Sequence, residues 1–292
     1  MSAQRPLMDS GALGPSMVAR CARKAVGMDE PYRVIGDIHA LPSSQAAPGY
    51  GVLPVNAYLV RDKAPMLIDT GLSSDRESFL ERLWDLVEPD DLRWIFLTHE
   101  DRDHAGNLLP VLEAAPQAQL VTNFVTVGKL LEAWPVPLDR VAVVNPGEWF
   151  STSERELLVV RPPAYDASGT VGVWEPTTRA LFTVDAFGTY LPELVPDLSD
   201  LPDEEVLAGL MTFNRANHPW TTLADRAKFT DALAALREAG PALLLSSHSV
   251  PSPGRTAALF EAMATLPDLE PFIAPAQSRC EELRGQMGRR SE

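Results

Sequence analysis

Apolar positions along this chain fall in short continuous runs, separated by polar residues with turn propensity. From about residue 31 the runs read as strands. Tyr32 to Ile38 and Val52 to Arg61 are the first two, divided by a Pro/Ser/Gly-rich stretch over 42–51 that reads as a loop. Pro65-Met-Leu-Ile-Asp-Thr-Gly71 reads as a short buried strand running into a turn. A helix is predicted next. Ser74 and Glu77 have the spacing of a capping box, and Phe79, Leu80, Leu83, Leu86 and Val87 share one face. Arg93-Trp-Ile-Phe-Leu97 is another buried strand, and a helix over 105–114 is expected to stop before Pro116.

The second half uses the same grammar without visible identity to the first. Leu157 to Val160, Val171 to Glu175 and Ala180 to Val184 read as strands, and 203–213, 223–239 and 254–265 as helices. Gly240-Pro241 is a stop signal for the middle helix. Ala242 to Leu245 is a last apolar strand that delivers Ser246-Ser247-His248, and the final 20 residues are polar and expected to fray. Strands and helices alternating in two halves predict a layered α/β domain with helices outside the sheets. The expected layout is an N-terminal arm over 1–28, a domain over 29–270 and a tail over 271–292. Within the arm, Met17 to Val26 reads either as one basic amphipathic helix or as a surface segment.

Composition narrows the function classes. The 292 residues are 45% hydrophobic and 22% charged, enough for one large domain or two small ones. A net charge of −15 with no Lys/Arg-rich run argues against nucleic-acid and anionic-membrane partners. No apolar run reaches the roughly 18 residues that a membrane helix requires. Cys21 and Cys280 are the only cysteines, so neither a disulfide framework nor a thiolate metal site is expected, and a reducing cytoplasm is the simplest compartment.

The candidate chemistry is concentrated in Thr98-His-Glu-Asp-Arg-Asp-His-Ala-Gly106. Of five histidines, His99 and His104 lie here, with Asp101 and Asp103 between them, directly after the strand 93–97. Imidazole and carboxylate are standard ligands for first-row metals, and loops at strand ends are where such sites are built. One loop can aim one pair of these residues at one metal and the other pair at a second. A solvated acidic turn with two helix-capping aspartates is the bland alternative. Asp166, Asp185 and His248 sit at other predicted strand ends and can complete the coordination.

This pattern resembles the metallo-β-lactamase superfamily, whose loop is usually His-x-His-x-Asp-His. Leu67-Ile-Asp-Thr-Gly71, Asp166-Ala-Ser-Gly-Thr170, Leu181-Phe-Thr-Val-Asp-Ala-Phe-Gly188 and Ser247-His248 follow in the family's order. The resemblance spans roughly 30–265 and implies a four-layer αββα sandwich. It also implies roles: His99, Asp101 and Asp166 holding one metal, Asp103, His104 and His248 a second, and Asp185 bridging. Asp69 is expected to brace the loop through hydrogen bonds rather than bind metal. Two positions depart from the hydrolytic members. Asp101 stands where they have the second His of the loop, and Asp166 where they have the third. Oxygen ligands favour iron or manganese over zinc. A carboxylate in the middle of the loop is similar to the flavodiiron and oxygen-binding di-iron proteins, which have Glu there. A carboxylate at the later position is similar to di-iron β-hydroxylases of natural-product assembly.

Two metal ions are therefore expected, iron first with manganese or zinc as alternatives. The reaction expected is an O2-dependent oxidoreductase or oxygenase, or O2 binding without turnover. The alternative is a hydrolase of thioesters, lactones or phosphoesters using metal-activated hydroxide. No phosphate loop for FMN is visible, so intrinsic FMN is not expected; electrons would come from a separate donor protein or from a small-molecule substrate. A homodimer is left open. Asp103, His218 and Tyr165 are candidate catalytic residues. His218, in Asn217-His-Pro-Trp220, reads either as a pocket wall or as a surface loop, while Tyr190 and Phe187 are candidate pocket aromatics and His39 an ordinary structural residue.

Overall fold

A computed structural model describes residues 30–288, leaving out 196 and 252. The expected arm over 1–28 thus lies outside the described residues. The first sheet sets β1 (Tyr32–Ile35), β2 (Ile38–Ala47), β3 (Gly51–Val60), β4 (Met66–Ile68), β5 (Trp94–Phe96), β6 (Gln119–Thr122) and β7 (Val141–Val143) side by side in chain order. Its first four strands are antiparallel, and β4 to β7 run parallel. The second sheet holds β8 (Trp149–Ser151), β9 (Glu156–Val160), β10 (Gly172–Glu175), β11 (Ala180–Val184) and β12 (Leu243–Ser246), ordered β12-β11-β10-β9-β8. Only its β11–β12 pair is parallel.

Helices α1 (Arg76–Leu86), α2 (Arg102–Ala105), α3 (Leu108–Ala114) and α4 (Phe124–Ala133) belong to the first half. In the second half come α5 (Asp203–Asn217), α6 (Arg226–Glu238), α7 (Thr256–Met263) and α8 (Gln277–Gly288). Strand alternation sorts side chains into layers. In β4, Met66 and Ile68 join Tyr58, Phe96, Val159, Phe182 and Leu245 between the sheets. Leu67 points the other way, to a core shared with Phe79 and Leu83 of α1, Val111 of α3 and Leu130 of α4. On the far side, Leu181 and Leu244 pack against Leu210, Phe229 and Leu259 from α5, α6 and α7. The result is the αββα sandwich expected from the resemblance.

Several local expectations fail for identifiable reasons. Residues 42–47 are strand rather than loop, paired residue by residue with 51–56 of β3. Pro42 is tolerated because β1 pairs with β2 only as far as Ala40, so among the described residues no strand pairs with Pro42 on that side. The Ser74/Glu77 capping box does not form: Ser74 lies inside a 3-10 turn, Ser73–Asp75, that precedes α1. The helix expected over 105–114 is two helices. Its break at Gly106-Asn107 is held by the Asn107 amide, which donates to the carbonyls of Thr70 (2.7 Å) and Leu72 (2.9 Å). The tail is not simply frayed, because it contains α8, and Phe272 packs on Tyr50.

Candidate metal centre

Every candidate ligand, with Asp69 beside them, follows the carboxyl end of a strand, in a loop or, for Asp103 and His104, in the one-turn helix α2 that the loop enters. Asp69 follows β4, the 98–104 segment follows β5, Asp166 follows β9, Asp185 follows β11 and His248 follows β12. Because β4 and β5 are parallel, as are β11 and β12, these loops converge at one end of the two sheets. The one-turn helix α2 begins right after Asp101, whose backbone carbonyl accepts from the amides of His104 and Ala105. That turn separates His99 and Asp101 from Asp103 and His104 and points the two pairs in different directions.

The seven side chains form two adjoining groups. Nε2 of His99 lies 3.8 Å from Asp101 Oδ2 and 3.7 Å from Asp166 Oδ1. Nε2 of His248 lies 3.3 Å from Asp103 Oδ2, and Nε2 of His104 lies 3.9 Å from the same oxygen. Asp185 stands between the groups. Its Oδ2 is 3.7 Å from His99 Nε2, while its Oδ1 is 3.0 Å from His104 Nε2 and 3.4 Å from His248 Nε2. One carboxylate thus turns one oxygen to each group. Among the described residues, three sets could hold an ion, with their ligand atoms within 4.8 Å of one another: His99/Asp101/Asp166, Asp103/His104/His248 and His99/His104/Asp185.

The opposite edges of two imidazoles are already engaged. Nδ1 of His104 is 2.7 Å from Asp69 Oδ2, and Nδ1 of His248 is 2.9 Å from the Pro54 carbonyl. A proton on each Nδ1 satisfies those acceptors and leaves the Nε2 lone pairs directed into the cluster. Asp69 also accepts from the Thr98 amide and hydroxyl, both at 2.9 Å, so it ties the start of the loop to β4.

The donor set fits two divalent cations. Nε2 of His99, Nε2 of His104 and Oδ1 of Asp185 are buried and lack any hydrogen-bond partner. Although His104 Nε2 and Asp185 Oδ1 are only 3.0 Å apart, they are not aligned as donor and acceptor. Buried polar atoms left unpaired in this way are costly unless something else binds them. Four carboxylates would also balance the charge of two dications. With protons alone, the same crowding shows as shifted titration. Burial favours neutral imidazole, yet Asp103 and Asp185 outweigh it and push His248 up to about 10. For His104 burial is likewise overcome, by Asp69, Asp103 and Asp185, and its pKa lies well above the ordinary histidine range. Burial raises Asp185, but His99 and His104 hold it well below the usual carboxylate range. Asp166 is pushed up to about 6 by burial and by the charge of Asp185.

The remaining candidates surround this centre. Asp101, Asp103 and Asp166 are its accessible members, with side chains 50%, 28% and 24% accessible against 3% for Asp185. Solvent therefore reaches both groups, the His99 group through two carboxylates and the other through one. The ring of Tyr165 packs on Trp220 and under Arg161, and its carbonyl accepts from the Trp220 indole at 2.7 Å. These residues wall a groove of about 570 Å³ with Phe229 and Lys228. His218 is not in a surface loop. It is fully buried at the end of α5 against Phe213, and burial lowers its pKa to about 4. Phe187 packs on Phe260, Tyr190 stacks on Tyr50, and His39 approaches the Asp37 carbonyl. One contributor had no sequence signal. Asn217 donates to Asp185 Oδ2 (3.1 Å) and Asp166 Oδ2 (3.3 Å).

Fold and site together define an αββα protein with a two-part His/Asp cluster at the carboxyl ends of its strands. Residues 50–248 match the profile of the Metallo-beta-lactamase superfamily, and the chain belongs to that family. Its relatives lie in the di-iron branch. Diflavin flavoprotein A 1 of Thermosynechococcus vestitus is 29% identical over 136 residues, covering 46% of this chain and 24% of that protein. A nitric oxide reductase of Moorella thermoacetica is 24% identical over 163 residues, 56% of this chain and 40% of its own. Among solved structures, rubredoxin oxygen:oxidoreductase of Desulfovibrio gigas superposes with a TM-score of 0.70 at 18% identity, covering 83% of this chain and 62% of that one. The chain thus spans about a quarter to two fifths of these curated relatives. No helix among the described residues is long and apolar enough to cross a membrane.

Proposed function

We propose that this chain is a di-iron oxidoreductase that reacts with O2, with His99, Asp101 and Asp166 on one iron, Asp103, His104 and His248 on the other, and Asp185 between them. The observation that carries the reading is the donor set: two carboxylates, Asp101 and Asp166, share one group with a single imidazole. Oxygen ligands favour iron over zinc, and their charge would stabilise the ferric state, so a pair of irons held by these residues would supply redox chemistry toward a small oxidant. The names of the relatives support the same chemistry. Asp101, Asp103 and Asp166 form the open side by which a small molecule reaches the cluster. His218, neutral at physiological pH, serves as a wall that adds no charge. Tyr165 and Trp220 shape the neighbouring groove, which suits an organic co-substrate. Electrons come from a separate donor protein or from that co-substrate.

Elemental analysis of protein purified without chelator tests this. About two metals per chain, with iron in excess of zinc, are expected. Zinc alone after expression in iron-rich medium would sink the redox reading and leave the hydrolase. Anaerobic iron loading followed by air should then change the visible spectrum; a spectrum indifferent to O2 counts against it.

A further inference from the structure

Asn217 ends α5 one turn beyond the expected stop at 213, and that extra turn is locked in place. The Asn214 amide donates to the Gly188 carbonyl (3.0 Å) and to the Leu210 carbonyl (2.8 Å). Gly209 and Gly188 permit the close approach: a Cβ on Gly209 would stand 1.9 Å from the Tyr190 carbonyl oxygen, and one on Gly188 would stand 2.3 Å from the Phe213 ring. The helix end is thereby pressed onto the loop that carries Asp185. From this fixed position the Asn217 amide nitrogen reaches Oδ2 of both Asp185 and Asp166. It has two N–H donors, one for each carboxylate. Its third neighbour, His218 Nε2 at 3.5 Å, is the most distant.

These bonds leave the two aspartates with different tasks. On Asp166, the oxygen that Asn217 binds is not the one facing His99; Oδ1 faces His99 Nε2 at 3.7 Å. On Asp185, Asn217 binds the oxygen turned to the His99 group and leaves Oδ1 to the His104 group. Asp166 is partly exposed and sits in a turn, so it needs an anchor to stay in the cluster. A Lys or Arg could also hold two carboxylates, but its charge would compete with a cation. A neutral amide does not.

We propose that Asn217 is a positioning residue for the His99/Asp101/Asp166 group: it pins Asp166 to a single metal-facing oxygen and couples it to the bridging Asp185. The proposal rests on the two-metal reading, and concerns only how that group is held. Titration of the metal-free protein with Co(II), followed by visible absorption and by competition with a chelator, tests it. In Asn217→Leu, of similar size but without donors, one of the two Co(II) equivalents should weaken by roughly 10–100-fold while the other keeps wild-type affinity. Its spectrum should change in the weakened step alone. Asn217→Ser, which retains a short donor, should recover part of the loss. Two wild-type affinities with an unchanged Co(II) spectrum in Asn217→Leu would overturn the proposal. So would equal weakening of both, which would mean a general structural role. Should Asn217→Leu fold poorly, judged by thermal melting without metal, Asn217→Ala takes its place under the same criteria. Because Co(II) reports geometry rather than redox activity, the result stands apart from whether the native metal is iron.

Discussion

Asp69 sets the direction of the loop that carries four of the candidate ligands. Its backbone is in the left-handed region, φ 59°, a conformation that costs a non-glycine residue on the order of 1 kcal/mol. The bonds from Thr98 and His104 offset this cost. Asp185 is flanked by similar strain, with Val184 at φ 59° and Phe187 at φ 65°. The amide of Ser247 and the hydroxyl of Ser246 both donate to the Val184 carbonyl and hold that turn. Asp69→Asn keeps the volume but puts an NH2 where one of the acceptor oxygens was. Affinity at the Asp103/His104/His248 group should fall by about 10–100-fold, read by Zn(II) competition. An unchanged affinity would show that His104 needs no such acceptor. Asp69 was legible as the Asp of an Asp-x-Gly turn. Asn217 was not, since a lone amide at a helix end far from any motif has no local mark of its partners.

At the level of elements, strands that are continuous buried apolar runs are the legible part, parallel or antiparallel. Ala180 to Val184 is β11 to the residue. Within 116–156, β7 and β8 are three-residue strands of mixed exposure and carry no usable period, whereas β6 and α4 are not limited in this way and went unpredicted. The break between α2 and α3 depends on contact rather than conformation. Gly106 has an ordinary φ of −60°, yet a Cβ there would lie 2.5 Å from the Gly71 carbonyl oxygen and from the Ser73 amide. Gly106→Ala should therefore destabilise the protein by about 1–3 kcal/mol, lowering the melting temperature by several degrees. Gly128, inside α4 with open space at its Cβ, is the control: Gly128→Ala should be neutral or stabilising by about 0.5–1 kcal/mol. Equal effects at the two positions would refute the contact argument.

Across the whole molecule, charge is organised by position. At the end of the sheets away from the centre, Arg155 meets Asp37, Asp62 and Glu175 and clips the two sheets together. At the other end lie the four aspartates and three histidines of the cluster. His248 and His104 have folded pKa values above their unfolded ones, so their stabilisation is complete below about pH 6.5 and is lost as pH rises, for His248 through about 10. Metal-free protein should therefore melt at progressively lower temperature from pH 7 to 10. Metal-loaded protein should not, because bound cations require neutral imidazoles and replace those protons. Parallel melting curves with and without metal over that range would refute this account.

What the sequence alone determined is local: which runs are apolar enough to be buried, where glycine and proline interrupt them, and which loops carry imidazole and carboxylate. Hydrophobic periodicity and ligand type belong to residues and their near neighbours, so they survive without a fold. Tertiary structure alone decided which oxygen of Asp185 faces which imidazole, that Pro54 and Asp69 orient His248 and His104, and that Asn217 joins two carboxylates. Those relations connect residues from 32 to 194 positions apart. They exist only because parallel strands bring their carboxyl ends, and the loops that follow them, to one edge of the sandwich.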